Sequence, residues 1–236
     1  MGLVKLAVGD GVLTFLWVFC ASCLSAGTSI IAKAIGVQGI ATRLITISLV
    51  FILLFCFGIM GSVLGGASFN PTGTAAFYAV GHGGDTLISA AVRFPAQAVG
   101  AVGGALAIVK FMPSEYKHMI GGPYCKVDMH TCAIVEGMLT FTSSILVLYV
   151  ILRGPKSWIM KNWLLSASIV TLVGFGRAYT GPSMNPANAF GWAYVNNHYT
   201  TWKHLYVYWI SPFIGAITAG WTFRLIFPPP SKQKVA

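Results

Sequence analysis

Six stretches of this chain are long and apolar enough to cross a hydrocarbon layer, at approximately 3–26, 42–62, 87–110, 131–152, 163–179 and 205–227. A spanning helix needs about 20 mostly apolar residues. The chain is therefore organised by a bilayer. Its charge content agrees: 8% of the residues are charged and 56% are hydrophobic, where a soluble domain has about 25% charged. In hydrocarbon every backbone polar group must be satisfied internally, which selects helices for segments of this length. The fold class expected is an all-α membrane protein. The first stretch is long enough to act as its own targeting signal.

Charge excludes some partners. Asp10, Asp85, Glu115, Asp128 and Glu136 stand against fifteen Lys and Arg, for a net charge of +10. The basic residues fall singly, mostly at segment ends, with no stripe interleaved with aromatics. That pattern argues against nucleic acid and for membrane lipids. It does not orient the chain. Lys5, Arg153, Lys156, Lys161, Lys232 and Lys234 fall on one side, and Lys33, Arg43, Lys110, Lys117, Lys126 and Lys203 on the other, so the positive-inside rule is balanced. Cys20, Cys23 and Cys56 lie in apolar segments and read as packing residues. Cys125 and Cys132 flank a loop and a helix start, and a bond between them stays open. His82, His118, His130, His198 and His204 do not pair at metal-ligand spacing. No metal, cofactor or enzymatic activity is expected.

The sequence repeats itself. Asp10-Gly11-Val12-Leu13-Thr14-Phe15 parallels Glu136-Gly137-Met138-Leu139-Thr140-Phe141. Asn70-Pro71 and Asn185-Pro186 are 115 residues apart, as are Gly100-Ala101 and Gly215-Ala216. The first match has an offset of 126, so the first half carries eleven extra residues, which the connection near 27–41 can hold. The chain reads as one domain, 1–236, in two halves, 1–112 and 113–236. Three spans per half is an odd number, so the second half enters from the opposite face, which makes an inverted repeat.

Two segments, Ser68–Val80 and Ser183–Val195, are too short to span, and each contains one Asn-Pro. They read as re-entrant half-helices, tolerated where protein or a water-filled cavity covers their ends. Asn is a strong N-cap and Pro suits the first helical position. The capping oxygen accepts a backbone N–H, leaving the amide NH₂ to face outward. Two such heads put two donors and two positive dipole ends at the centre of a pore. A passing water turns its oxygen to them, and a cation meets an unfavourable potential.

At these residues the chain resembles the aquaporins (major intrinsic proteins), from Asp10 to about Phe227. The strongest block is Thr180-Gly181-Pro182-Ser183-Met184-Asn185-Pro186-Ala187-Asn188-Ala189-Phe190-Gly191. The first motif, Asn70-Pro71-Thr72, has Thr where the family usually has Ala. That change, the basic balance and the short tails resemble the first type of plant small basic intrinsic proteins. The resemblance implies a right-handed bundle of six transmembrane helices plus two re-entrant half-helices. It also implies a homotetramer, water or a small neutral solute as the permeant, and the endoplasmic reticulum membrane, with the plasma membrane as the alternative.

It further implies site roles. Asn70, Pro71, Thr72, Asn185, Pro186 and Ala187 form the pore centre. By family spacing the outer filter falls on Val50, Val173, Pro182 and Asn188, with Asn188 where the family usually has Arg. Asn188 keeps donors and removes a charge that excludes cations. Asp10 and Glu136 are expected to accept bonds from the half-helix loops, with Asp10 one methylene short of the usual Glu. Gln97 and Arg177 are expected to support the same loops. Two other readings compete: a secondary transporter, which would need a coupling-ion site at the midplane, and an assembly protein that conducts little.

Overall fold

A computed structural model describes residues 2–228. Helices α1 (Leu3–Ser22) and α2 (Leu24–Ile35) run almost end to end, and α3 (Ile40–Val63) returns. The short α4 (Pro71–Val80) precedes the long α5 (Leu87–Phe111), and a 3₁₀ turn, Ser114–Met119, leads toward α6 (Met129–Leu152). After α7 (Trp158–Gly176) comes the second short helix, α8 (Pro186–Val195). Helix α9 (Trp202–Leu205), a π-turn (Tyr206–Ile210) and α10 (Ser211–Ile226) form a continuous last segment. Pro212 lacks the N–H that would bond the carbonyl of Tyr208, and the turn before it widens.

Among the described residues, five continuous helical segments are long and apolar enough to cross a membrane: Leu3–Ile35, Ile40–Val63, Leu87–Phe111, Met129–Leu152 and Trp158–Gly176. The sixth expected span is the interrupted α9–α10 segment. The bundle carries its apolar side chains outward, with Val63, Ile88, Val99 and Leu225 mostly exposed. Such a surface suits lipid.

Two details differ from the sequence reading. The first segment does not end near residue 26. It continues as α2 to Ile35, so most of the extra residues of the first half are helical, and Lys33 lies inside the helix. The chain breaks at Cys23, whose N–H bonds to the carbonyl of Cys20, and resumes at Leu24, so the start of the connection expected near 27–41 is helical. Helix α7 begins at Trp158 and ends at Gly176, earlier than 163–179, because Ser157 caps it by accepting from the Met160 N–H.

The halves interlock. Helix α1 packs along α5, and α6 along α10, while α4 of the first half lies on α10 and α8 of the second half lies on α5. Glycine makes the long crossings close. A Cβ at Gly100 would overlap the carbonyl oxygen of Gly11, and one at Gly215 would overlap that of Gly137. The repeat pairs Gly11 with Gly137 and Gly100 with Gly215, so the same contact occurs once per half.

Candidate functional site

Each short helix is started as its sequence requires. Asn70 is extended (φ −141°), and its side chain accepts from the Thr72 N–H, with Pro71 in the first turn. Asn185 (φ −144°) accepts from the N–H groups of Ala187 and Asn188, with Pro186 following. The other end of each amide crosses to the opposite loop. Asn70 Nδ2 donates to the Met184 carbonyl at 3.1 Å, and Asn185 Nδ2 donates to the Phe69 carbonyl at 2.9 Å. Met184 and Phe69 each precede an Asn, so the two bonds are one contact made twice. Each NH₂ has two hydrogens; one is spent across the junction and the other remains for a further acceptor.

Thr72 adds to the junction. Its hydroxyl lies 2.8 Å from Asn70 Oδ1 and 3.0 Å from the Met184 carbonyl. One hydrogen serves either acceptor, so this side chain ties its half-helix to the opposite loop. Met184 has φ +49°, a conformation uncommon in a residue with a Cβ. Thr72→Ala is expected to lower stability by about 0.5–1.5 kcal/mol, the net worth of one hydrogen bond, read as a lower melting temperature in detergent.

The Asn70 loop is also held by aromatics. Trp17 stacks on Phe69 with centroids 4.0 Å apart, and Phe57 meets both rings edge-on. A cavity of about 50 Å³ is lined by Asn70, Thr72 and Phe77, and by Ser143, Ser144 and Val147 of α6. The three α6 residues were not singled out from sequence, although a Ser-Ser pair in an apolar span was a usable signal. A larger cavity of about 480 Å³ lies between α1, α2 and α3. Aliphatic side chains, Phe57 and the thiols of Cys20, Cys23 and Cys56 line it, so it lacks strong donors to orient a polar solute.

Two buried carboxylates meet the loops. Asp10 Oδ1 accepts the Ser68 N–H at 2.7 Å. Glu136 accepts the N–H groups of Ser183 and Met184, each at 3.1 Å. Gln97 Nε2 donates to Asp10 Oδ2 at 3.0 Å. Asp10 also holds an ion pair with Arg93, a residue that sequence reading passed over. A buried carboxylate in an apolar span was itself a signal to look for a cation. Arg177 contributes its carbonyl, which accepts from Lys126 Nζ at 2.8 Å.

The four spacing-derived filter positions are dispersed over α3, α7, the second loop and the first turn of α8. Val50 is buried and Val173 is 37% exposed. Pro182 packs in the space that a side chain at Gly176 would need. Asn188 Nδ2 donates to Ser183 Oγ at 3.2 Å, and Ser183 Oγ in turn donates to the Asn185 carbonyl. The segment that leads into the second loop is braced: Tyr124 N–H donates to the Thr180 carbonyl and Lys126 N–H to that of Tyr179. Cys125 and Cys132, the pair left open above, form a disulfide next to this brace.

Residues 2–223 match the profile of the Major intrinsic protein family. The chain belongs to that family. Aquaporin SIP1-1 of Zea mays is 57% identical over 233 residues, covering 98% of this chain and 95% of the relative. Aquaporin SIP1-1 of Arabidopsis thaliana is 51% identical over 236 residues, covering 99% and 97%. Among solved structures, the aquaglyceroporin from Plasmodium falciparum superposes with a TM-score of 0.72 over 96% of this chain and 98% of that one, at 17% identity. The fold is that of an aquaporin. As a major intrinsic protein this chain is an integral membrane protein of a channel family, one whose pores select through lining donors and half-helix dipoles.

Proposed function

We propose that this chain is a passive channel for water and other small neutral solutes, with its pore centred on Asn70 and Asn185. The reciprocal amide-to-carbonyl bonds carry the reading. They fix two donors head to head and leave one N–H on each for a permeant oxygen. The positive ends of α4 and α8 meet at the same place, which disfavours cations. The 50 Å³ cavity beside Asn70 and Thr72 is a segment of the lumen. Asp10 and Glu136 are tied up by loop and side-chain donors, which argues against their use as proton relays in a transporter.

The outer filter is formed by Val50, Val173, Pro182 and Asn188. Asn188 supplies no charge there, and its amide is engaged with Ser183. Selectivity therefore rests more on the Asn heads than it does where an Arg stands. The functional unit is one channel domain of two inverted halves, 1–112 and 113–236, assembled as a homotetramer in the endoplasmic reticulum membrane. The Cys125–Cys132 disulfide supports an oxidising compartment on the face that carries the α5–α6 connection, which the balanced charges could not assign.

Stopped-flow shrinkage of proteoliposomes under an osmotic step tests the function. Permeability at least several times that of empty liposomes is expected, and equality with them sinks the channel. Flux that saturates and follows an ion gradient would instead mark a transporter. Asn188→Arg is expected to reduce the passage of larger neutral solutes and cations relative to water. Unchanged ratios would show that position 188 does not belong to the constriction.

A further inference from the structure

The two loops are held by different chemistry at equivalent positions. Glu136 is long enough to take two successive amides, Ser183 and Met184. Asp10 takes only one, that of Ser68, because it is one methylene shorter. A buried carboxylate with a single donor would be badly under-satisfied.

In the first half the deficit is filled from α5. Arg93 Nε donates to Asp10 Oδ2 at 2.7 Å and Nη2 to Oδ1 at 3.0 Å, while Gln97 Nε2 donates to Oδ2. With Ser68, that makes four donors on one carboxylate, its full capacity. Arg93 reaches further: Nη1 to Asp85 Oδ1 at 2.6 Å, and Nη2 to the Gly66 carbonyl at 3.2 Å. Gly66 has φ +89° and lies in the turn that leads into the half-helix. One guanidinium thus joins the carboxylate, the turn before the Asn-Pro head and the segment that precedes α5.

The residue 115 positions after Arg93 is Tyr208. Its hydroxyl donates to the Thr180 carbonyl at 3.2 Å, in the turn that leads into the second half-helix. Both side chains are buried, at 3% and 4% exposure. Gln97 has Pro212 as its counterpart, which cannot donate, and Glu136 does without either.

We propose that Arg93 and Tyr208 are equivalent positioning residues, one per half, and that the short Asp10 makes a cation necessary at position 93. Asp10–Arg93 and Glu136–Tyr208 are two solutions to the same requirement, the seating of an Asn-Pro loop.

The pairs can be exchanged. Arg93→Tyr, Asp10→Glu/Arg93→Tyr and Asp85→Asn would be compared with the unaltered full chain in proteoliposomes. Hydrogen exchange of the Ser68–Asn70 amides and osmotic water permeability per incorporated protein are the readouts. The permeability readout rests on the channel reading, and the exchange readout does not. Arg93→Tyr deprives a buried carboxylate of its cation and of two of its four donors and is expected to speed exchange and cut permeability by about tenfold or more. The double variant is expected to recover both to within about threefold, because Glu reaches the second amide as Glu136 does. Asp85→Asn keeps an acceptor oxygen for Nη1 but removes the charge of the outer arm, and is expected to change exchange less than Arg93→Tyr. Unchanged exchange in Arg93→Tyr overturns the proposal, as does a double variant no better than the single one in exchange or in folding. If the unaltered protein passes no water but the exchange pattern follows expectation, the channel reading fails and the positioning roles stand.

Discussion

In the proposed channel, Asn185→Asp is expected to make the pore centre permeable to cations while lowering water flux. The variant keeps an oxygen to cap Ala187 and Asn188, so α8 still starts correctly. It loses the Nδ2 that donates to the Phe69 carbonyl at 2.9 Å. In its place a carboxylate oxygen faces a carbonyl oxygen, an unsatisfied acceptor pair that costs about 1–3 kcal/mol. The charge matters more. Two half-helix ends carry roughly +0.5 each, and one carboxylate offsets both. The barrier to cations falls while a donor to water is removed. Potassium and proton flux into dye-loaded proteoliposomes reads the first effect and stopped-flow shrinkage the second. Cation flux identical to that of the unaltered protein would show that the dipoles and donors at Asn185 do not set charge selectivity.

The second large effect concerns assembly. Gly100→Ala puts a methyl into the Gly11 carbonyl, where the obstacle is backbone and cannot rotate away. Overpacking of this kind typically costs 1–3 kcal/mol and occasionally more. At about 2–4 °C per kcal/mol for a chain of this size, the melting temperature in detergent should fall by roughly 2–12 °C. Gly215→Ala, against the Gly137 carbonyl, should behave alike, since it is the same crossing in the other half. Gly174→Ala is the control: a Cβ there has nothing within 4 Å. Equal melting temperatures for Gly100→Ala and Gly174→Ala would show that the crossings have slack.

These expectations rest on features read from sequence to unequal degree. The Asn-Pro heads were legible because capping is local: the residues that start α4 and α8 lie beside the turns they start. The Gly100 and Gly215 contacts were legible as a repeat, and the structure supplied the partner carbonyls. Arg93 was not legible. Its partner Asp10 lies 83 positions away, and a lone Arg in an apolar span reads as a segment-end charge until the fold brings the helices together. The Trp17–Phe69 stack was hidden for the same reason. The length of the first helical segment was misjudged because the connection expected near 27–41 is helical as far as Ile35: Gly27, Thr28 and Ser29 lie within α2, where Thr28 faces Thr46 of α3 at 3.2 Å. The disulfide was undecidable from spacing, since only the fold sets the distance between Cys125 and Cys132.

The reciprocal Asn bonds also constrain the order in which the molecule can be completed. Asn70 donates to a carbonyl 114 residues later in the chain. At about 5–20 residues per second, synthesis reaches that partner roughly 6–23 s after Asn70 is made. Throughout that interval the first re-entrant segment has its cap but lacks its cross-partner, and α10, on which α4 rests, does not yet exist. Until then the first loop rests on contacts made within its own half, those of Asp10, Arg93 and Gln97, and α4 gains its packing partner only with the last helix to be made.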